Sequence, residues 1–392
     1  EVGALPAPLD IAAVAGPAGL RRVAMVAWRD LGDPEAGGSE LHAHEIAKRW
    51  AAAGIEVVLR TSAANDGPER IERDGYEAVR RSGRYKVFGS APADVVRGRL
   101  GPLDGLVEIW NGMPFLSPVW TRKPRITFLH HVHAEMWRMV LPPRRAALGE
   151  TFERRVAPRF YGRSRIVTLS ESSRSEIVEM LRIPAPNVSV VAPGIDARFT
   201  PGGPGCRSPR PLILAVGRLV PVKRFDHLIR AVARLHEDRP EVELMIVGEG
   251  NERPALESLR DSLSAGRFVH LPGRLDDGKL LDSYRKAWIL ASTSAREGWG
   301  MTVSEAAACG TPAVATHIAG HADAVVDGVT GFLADSPEEV LDKLRTLVDD
   351  EALRKCMAKA ALARASDLTW DATAFGTLSV LAGEAARRRP RR

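Results

Sequence analysis

The chain has 392 residues, 45% hydrophobic and 27% charged, which suits a soluble globular protein and is too long for one ordinary core. No apolar run approaches the roughly 20 residues a membrane span requires, and residues 1–20 lack the basic start and apolar core of a secretory leader. Net charge is +6, and the three cysteines, Cys206, Cys309 and Cys356, are far apart and odd in number, which fits a reducing cytosol rather than a disulfide framework or a metal knuckle.

Arg22–Trp28 is a continuous apolar run, as expected of a parallel strand buried on both faces. The loop that follows ends in Gly37-Gly38-Ser39-Glu40, where Ser39 is the predicted N-cap of a helix through Ala53, stopped by Gly54. Ile55–Arg60 is the next strand. Strand, loop, helix and strand in that order predict an α/β fold. The glycine pair has two readings: close backbone approach to a phosphate or sugar, or a turn that needs positive φ. The Gly-x-Gly-x-x-Gly of a dinucleotide enzyme is missing here and again at Gly248–Arg253, so nicotinamide and flavin chemistry are set aside.

Further strands are predicted at Leu106–Trp110, Arg125–Leu129, Ile166–Leu169 and Val188–Val191, with helices at Arg144–Phe160 and Glu171–Leu181. Asn111–Pro114 and His130-His131-Val132-His133 each follow a strand's carboxyl end, where ligands bind in open α/β sheets. The histidines lack a carboxylate or cysteine at zinc spacing, which leaves a hydrogen bond to a ligand hydroxyl or a satisfied structural role. From Arg138 to Arg165 there are eight arginines against two acids, Glu150 and Glu153. A solvated helix face, an anionic membrane surface and an anionic acceptor or nucleic acid all fit. Nucleic acid is the weakest, because no stacking aromatics are interleaved.

Thr200–Pro211 is dense in proline and glycine and predicts a linker between two domains. The α/β pattern then restarts, with strands at Leu212–Val216, Val242–Val247, Val269–Leu271, Ile289–Ala291 and Ala313–Ala315 and a helix from Phe225 to His236. Ser294–Thr311 passes through Gly298 and Gly300 into a small-residue helix that starts near Met301 or Thr302. Backbone N–H groups and a helix dipole meeting at a glycine turn make an anion site. Glu297 and Glu305, eight residues apart, flank it. Arg218 and Lys223 leave the first strand of the second half on a glycine loop, where two cations would neutralise a diphosphate. Together these suit a nucleotide sugar.

Several segments together resemble the retaining family 4 glycosyltransferases of the GT-B fold. They are the Glu297-x7-Glu305 stretch, Val216-Gly217-Arg218-Leu219 with Lys223, Leu271-Pro272-Gly273-Arg274, Gly37-Gly38-Ser39-Glu40 and Asp327–Phe332. The resemblance spans roughly residues 22–375. It implies two Rossmann-like doubly wound domains facing a cleft: an acceptor-side domain over 1–199, a nucleotide-sugar domain over 200–369, and a helix within 370–392 that crosses back to the first. By position it places Glu305 on the ribose and Glu297 on the donor sugar. Gly300, Met301 and Thr302 fall on the distal phosphate, Arg218 and Lys223 on the diphosphate, and Arg274 beside the base. His133 falls near the sugar's sixth hydroxyl, Gly38 near the diphosphate or acceptor, and Glu40 and Asn111 on the acceptor side.

The resemblance further implies a UDP- or GDP-sugar as co-substrate, no cofactor or metal, and retention with the leaving phosphate taking the acceptor's proton. Trp299, Met301-Thr302 and Gly320-His321-Ala322-Asp323 depart from the commoner pattern, and the last of these bears on sugar and base preference. The expected protein is a cytoplasmic enzyme, with peripheral contact at the membrane's inner face through Arg138–Arg165 as an extension. A sugar-nucleotide epimerase of the same fold and a silent nucleotide-sugar-binding subunit are the alternatives.

Overall fold

The computed structural model describes residues 9–63 and 67–389; the remainder of the predicted 1–199 and 370–392 segments lies outside the described residues. The chain forms two compact units. One takes the described residues up to Trp137, Pro142–Gly194 and Trp370 onward, and the other takes Arg138–Leu141 and Ile195–Thr369.

The first unit is built on an eight-stranded sheet. Its strands are β1 (Arg22–Val26), β2 (Glu56–Thr61), β3 (Arg70–Arg73), β4 (Tyr76–Arg80), β5 (Gly105–Trp110), β6 (Arg125–Leu129), β7 (Arg165–Thr168) and β8 (Val188–Val190). The order is β3-β4-β2-β1-β5-β6-β7-β8, parallel throughout except for β3 against β4. Side chains alternate across a strand, so β1 feeds two cores. Val23 and Met25 pack with Ile46 and Trp50 of the Gly38–Ala52 helix, while Ala24 and Val26 pack with Val87 and Ala91 of the Val87–Val96 helix. Helices therefore cover both faces, which is why the central strands read as unbroken apolar runs.

The second unit holds β9 (Leu212–Val216), β10 (Glu243–Val247), β11 (Val269–Gly273), β12 (Ile289–Ser292), β13 (Ala313–Thr316) and β14 (Gly331–Ala334). They form a six-stranded parallel sheet in the order β11-β10-β9-β12-β13-β14. Its core joins Ile213 and Ala215 of β9 to Leu228 and Val232 of the Phe225–Asp238 helix and Leu344 of the Pro337–Asp349 helix.

Four local expectations change. The helix after β1 is capped at Gly37, and Ser39 lies in its first turn instead of forming the N-cap. The predicted Arg144–Phe160 helix is broken by a π-helical turn, Phe152–Val156. Thr200–Pro211 is no free linker, because it is laid along the second unit. The Ser208 carbonyl accepts from Trp288 Nε1 at 2.8 Å, Arg285 donates to Thr200 O at 2.8 Å, and Arg207 donates to Thr311 Oγ1 at 2.6 Å. The β3–β4 hairpin and β14 are additional to the predicted strands.

Candidate functional site

All six strands of the second sheet run parallel, so the loops that leave their carboxyl ends share one edge. The loop after β9 carries Arg218 and Lys223, that after β11 carries Arg274, and that after β12 carries Glu297. Hydrogen bonds to backbone carbonyls join two of these loops. Ala295 N–H donates to Val222 O at 2.8 Å, and the Thr293 hydroxyl donates to Arg224 O at 2.9 Å. That stitching brings Lys223 Nζ onto Glu297 Oε1 as an ion pair, with each side chain 19% exposed. Ser294 Oγ also donates to Glu297 at 2.8 Å. Arg218 and Arg274 are exposed on their loops.

Burial alone would push the Glu297 carboxyl up. The Lys223 charge, the His321 ring once protonated in the acid range where this carboxyl titrates, and the bonds from Lys223 and Ser294 outweigh it and hold Glu297 down at about 2. Glu297 is thus a fixed anion and a weak base. Glu305 has the opposite setting. Burial pushes it up to about 7, against the Tyr284 hydroxyl that donates to it at 2.6 Å.

Between the two carboxylates lies the glycine turn. Gly300 has φ +93, a left-handed conformation that side chains disfavour, and it caps the Met301–Ala308 helix. The N–H groups of Met301 and Thr302 open that helix ahead of its intrahelical ladder. Trp299, at a departure from the family pattern, is buried with its indole N–H on Ser304 Oγ at 2.8 Å. A side chain at Gly320 would place its Cβ 2.6 Å from Trp299 N and 2.7 Å from Glu297 O. Only glycine lets the following helix, which begins at His321, lie this close to the turn. Tyr284, Ser294 and His321 contact Glu305, Glu297 and the Gly300 turn, and the motif alone did not assign them.

In the first unit, Gly38, Asn111 and His133 follow the carboxyl ends of the adjacent strands β1, β5 and β6. Asn111 Nδ2 donates to Ser39 Oγ at 3.1 Å, which ties its loop to the start of the Gly38–Ala52 helix. Gly38 is exposed. Glu40 is buried: its carboxylate accepts from Gly37 N–H at 2.8 Å and from Arg29 Nε at 3.0 Å, so it caps its own helix.

The histidine cluster divides. His130 is buried against His42, Nε2 to Nδ1 3.2 Å, and burial, with the His131 charge, holds it down at about 4. His133 stays 13% exposed at the sheet edge. Glu153, which the sequence offered only as a countercharge to arginines, is buried in the π-helical turn. It accepts from His133 N–H at 2.9 Å, Ala134 N–H at 3.1 Å and Trp137 Nε1 at 3.0 Å. Beyond it, Arg154, Arg155, Arg159 and Arg182 line a cavity of about 690 Å³ with Glu150 and Met180. Among the described residues no helix is long and apolar enough to cross a membrane.

The family model for glycosyl transferases group 1 matches residues 201–364, and that for glycosyltransferase family 4 matches residues 36–199. A D-inositol 3-phosphate glycosyltransferase of Frankia alni is 29% identical over 391 residues, covering 88% of this chain and 94% of the relative. Among solved structures, a sucrose-phosphate synthase from Thermosynechococcus elongatus has a TM-score of 0.78 at 19% identity, covering 94% of this chain and 98% of that one. HepE of Anabaena, solved with UDP-glucose, has a TM-score of 0.73 at 20% identity, covering 93% and 99%. The fold is GT-B. With the two models spanning both units in sequence order, the chain belongs to the family 4 glycosyltransferases.

Proposed function

We propose that this enzyme takes a hexose-type sugar from a UDP- or GDP-sugar and passes it to a hydroxyl acceptor, with retention and without a metal ion. The observation that carries this reading is the Lys223–Glu297 pair set beside the Gly300 turn and the start of the Met301–Ala308 helix. Lys223 and Arg218 neutralise the diphosphate, and the N–H groups at Gly300, Met301 and Thr302 receive its distal phosphate. Glu297 accepts hydrogen bonds from the sugar's hydroxyls and Glu305 from the ribose. Arg274 lies beside the base. A carboxyl held at about 2 is poorly suited to take a proton at neutral pH, which supports the departing phosphate as the acceptor's base.

On this reading residues 200–369 serve the donor and 1–199 the acceptor. Asn111 lies on the acceptor side, Glu40 supports that side through Gly37 and Arg29, His133 reaches the transferred sugar's sixth hydroxyl, and Gly38 lies against the diphosphate or the acceptor. The Frankia alni relative is named for D-inositol 3-phosphate and HepE was solved with UDP-glucose. A phosphorylated cyclitol and UDP-glucose therefore head the substrates to try, with lipid-linked and saccharide acceptors after them. Peripheral contact of a cytoplasmic enzyme with anionic membrane through Arg138–Arg165 is part of this proposal, and the gathering of Arg154, Arg155 and Arg159 around one cavity is what speaks for that contact.

The test is a thermal-shift panel of UDP-, GDP- and dTDP-sugars followed by transfer assays. A true donor stabilises the fold by mass action. Glu297→Ala and Lys223→Ala then abolish transfer while the folded signal persists, and chelator leaves the rate unchanged. Full turnover by either variant sinks the site assignment. Donor conversion without acceptor marks an epimerase instead, and binding with neither transfer nor hydrolysis marks a silent subunit.

A further inference from the structure

His321 is fully buried and tied on both sides. Its Nδ1 lies 2.9 Å from the Thr316 carbonyl, which can only accept, so Nδ1 carries a proton. Its Nε2 lies 3.0 Å from Ser292 Oγ. A hydroxyl can donate to a neutral ring and accept from a protonated one. The ring can therefore gain a proton from solvent with no hydrogen bond lost.

The same ring lies directly beneath the anion-binding turn: a Cβ on Gly300 would stand 3.0 Å from His321 Cδ2 and 3.6 Å from Nε2. The charged groups that face it are Glu297, from the loop after β12, and Lys223, from the turn after β9; Asp323 follows on its own short helix. Burial depresses the ring's affinity for a proton below the ordinary value of 6.5 and Lys223 adds to that, while Glu297 and the Thr316 carbonyl oppose it. In the free protein at neutral pH the ring is neutral. A diphosphate at Gly300 would bring further negative charge to the turn, and the ring's affinity for a proton would rise.

We propose that His321 is a positioning residue of the donor's phosphate site: it supports the Gly300 turn from beneath and takes up a proton when a nucleoside diphosphate binds. This rests on the donor-site reading above. It adds a charge that appears only in the bound state, inside a site where Lys223 is already engaged with Glu297.

The experiment is titration calorimetry of UDP and GDP against the full chain, from about pH 5.5 to about pH 8.5, for the wild type, His321→Asn and Ser292→Ala. Asparagine places an amide N–H near the Nδ1 position and does not titrate. The ligand and Glu305 titrate in every variant, so the ratio of wild-type to variant affinity isolates the imidazole. That ratio is expected to grow by about two- to fivefold as pH falls from about 8 to about 6, the change that a pKa rise of about one unit on binding gives a ring starting below 6.5. Ser292→Ala keeps the imidazole but removes the acceptor for Nε2–H, so its step moves to lower pH; it also serves if His321→Asn does not fold. Wild-type affinity in His321→Asn with a flat ratio overturns the proposal. If the wild type binds no nucleoside diphosphate at all, the donor-site reading falls and the proposal falls with it.

Discussion

Glu297 and Glu305 sit eight residues apart on one loop and helix, yet their surroundings drive their carboxyls in opposite directions. Glu297 falls from 4.5 to about 2, so its contribution to stability is fully present above about 4.5 and is lost as pH falls toward 2. Glu305 rises from 4.5 to about 7, so it favours the folded state at low pH and that contribution is lost as pH rises through 7. The second shift reaches function. A carboxylate accepts two hydroxyls, whereas a carboxylic acid gives up part of that capacity. Donor affinity of the wild type relative to Glu305→Gln should therefore rise several-fold between about pH 6 and about pH 8, read from donor KM or calorimetry. A ratio that stays flat would place Glu305 outside the donor's reach. Lys223, Glu297, Gly300 and Glu305 were legible because their chemistry lies in two short stretches of local motif. Tyr284, Ser292 and His321 were not, since each enters through contacts between separate strands and helices that no spacing announces.

At the scale of elements, the strands were the most legible, because burial on both faces leaves continuous apolar runs that turns interrupt. The hairpin of β3 and β4 was overlooked although its signal is present: Asp74-Gly75 takes positive φ at both residues, as a type I′ turn requires. Its first strand is polar, and Glu77 and Arg80 interrupt the apolar residues of its second, so neither carries the apolar run that marks the others. In the arginine-rich segment the sequence displays charge, which suits a solvated face, a membrane surface or an anionic partner alike, and gives no sign of the buried carboxylate inside it. A π-helical turn is often found at functional sites, and here it accompanies the burial of Glu153 beneath His133, Ala134 and Trp137. Glu153→Gln exchanges a carboxylate oxygen for an amide N–H that cannot accept, leaving at least one buried donor unpaired. The expected cost is about 1–3 kcal/mol in denaturant unfolding, with a lower rate of transfer and an unchanged nucleotide affinity. Loss of nucleotide binding with full stability would contradict this division of labour.

For the whole molecule, the chain's last helix completes its first unit. Trp370–Arg388 follows the second unit in sequence, but its Ala374, Leu378, Leu381 and Ala385 lie in one core with Val23, Met25 and Trp50. Trp50 Nε1 donates to Ala374 O at 2.9 Å, and Thr373 Oγ1 donates to Ala192 O at 2.8 Å. The first unit therefore closes only when Trp370–Arg388 has been made, whereas the core of the second draws on residues from Ile213 to Met357. Leu381 has no exposed surface, and truncating such a side chain costs about 2–5 kcal/mol through lost burial and the cavity left behind. Leu381→Ala should lower the unfolding free energy of the first unit by that amount, and its midpoint with it, in a denaturant titration followed by tryptophan fluorescence. Trp50 sits in the affected core and reports the change. Nucleotide binding, which the donor reading assigns to the second unit, should persist under native conditions with its affinity unchanged. A variant that keeps full first-unit stability, or one that loses nucleotide affinity while the first unit stays folded, would refute this assignment of the helix.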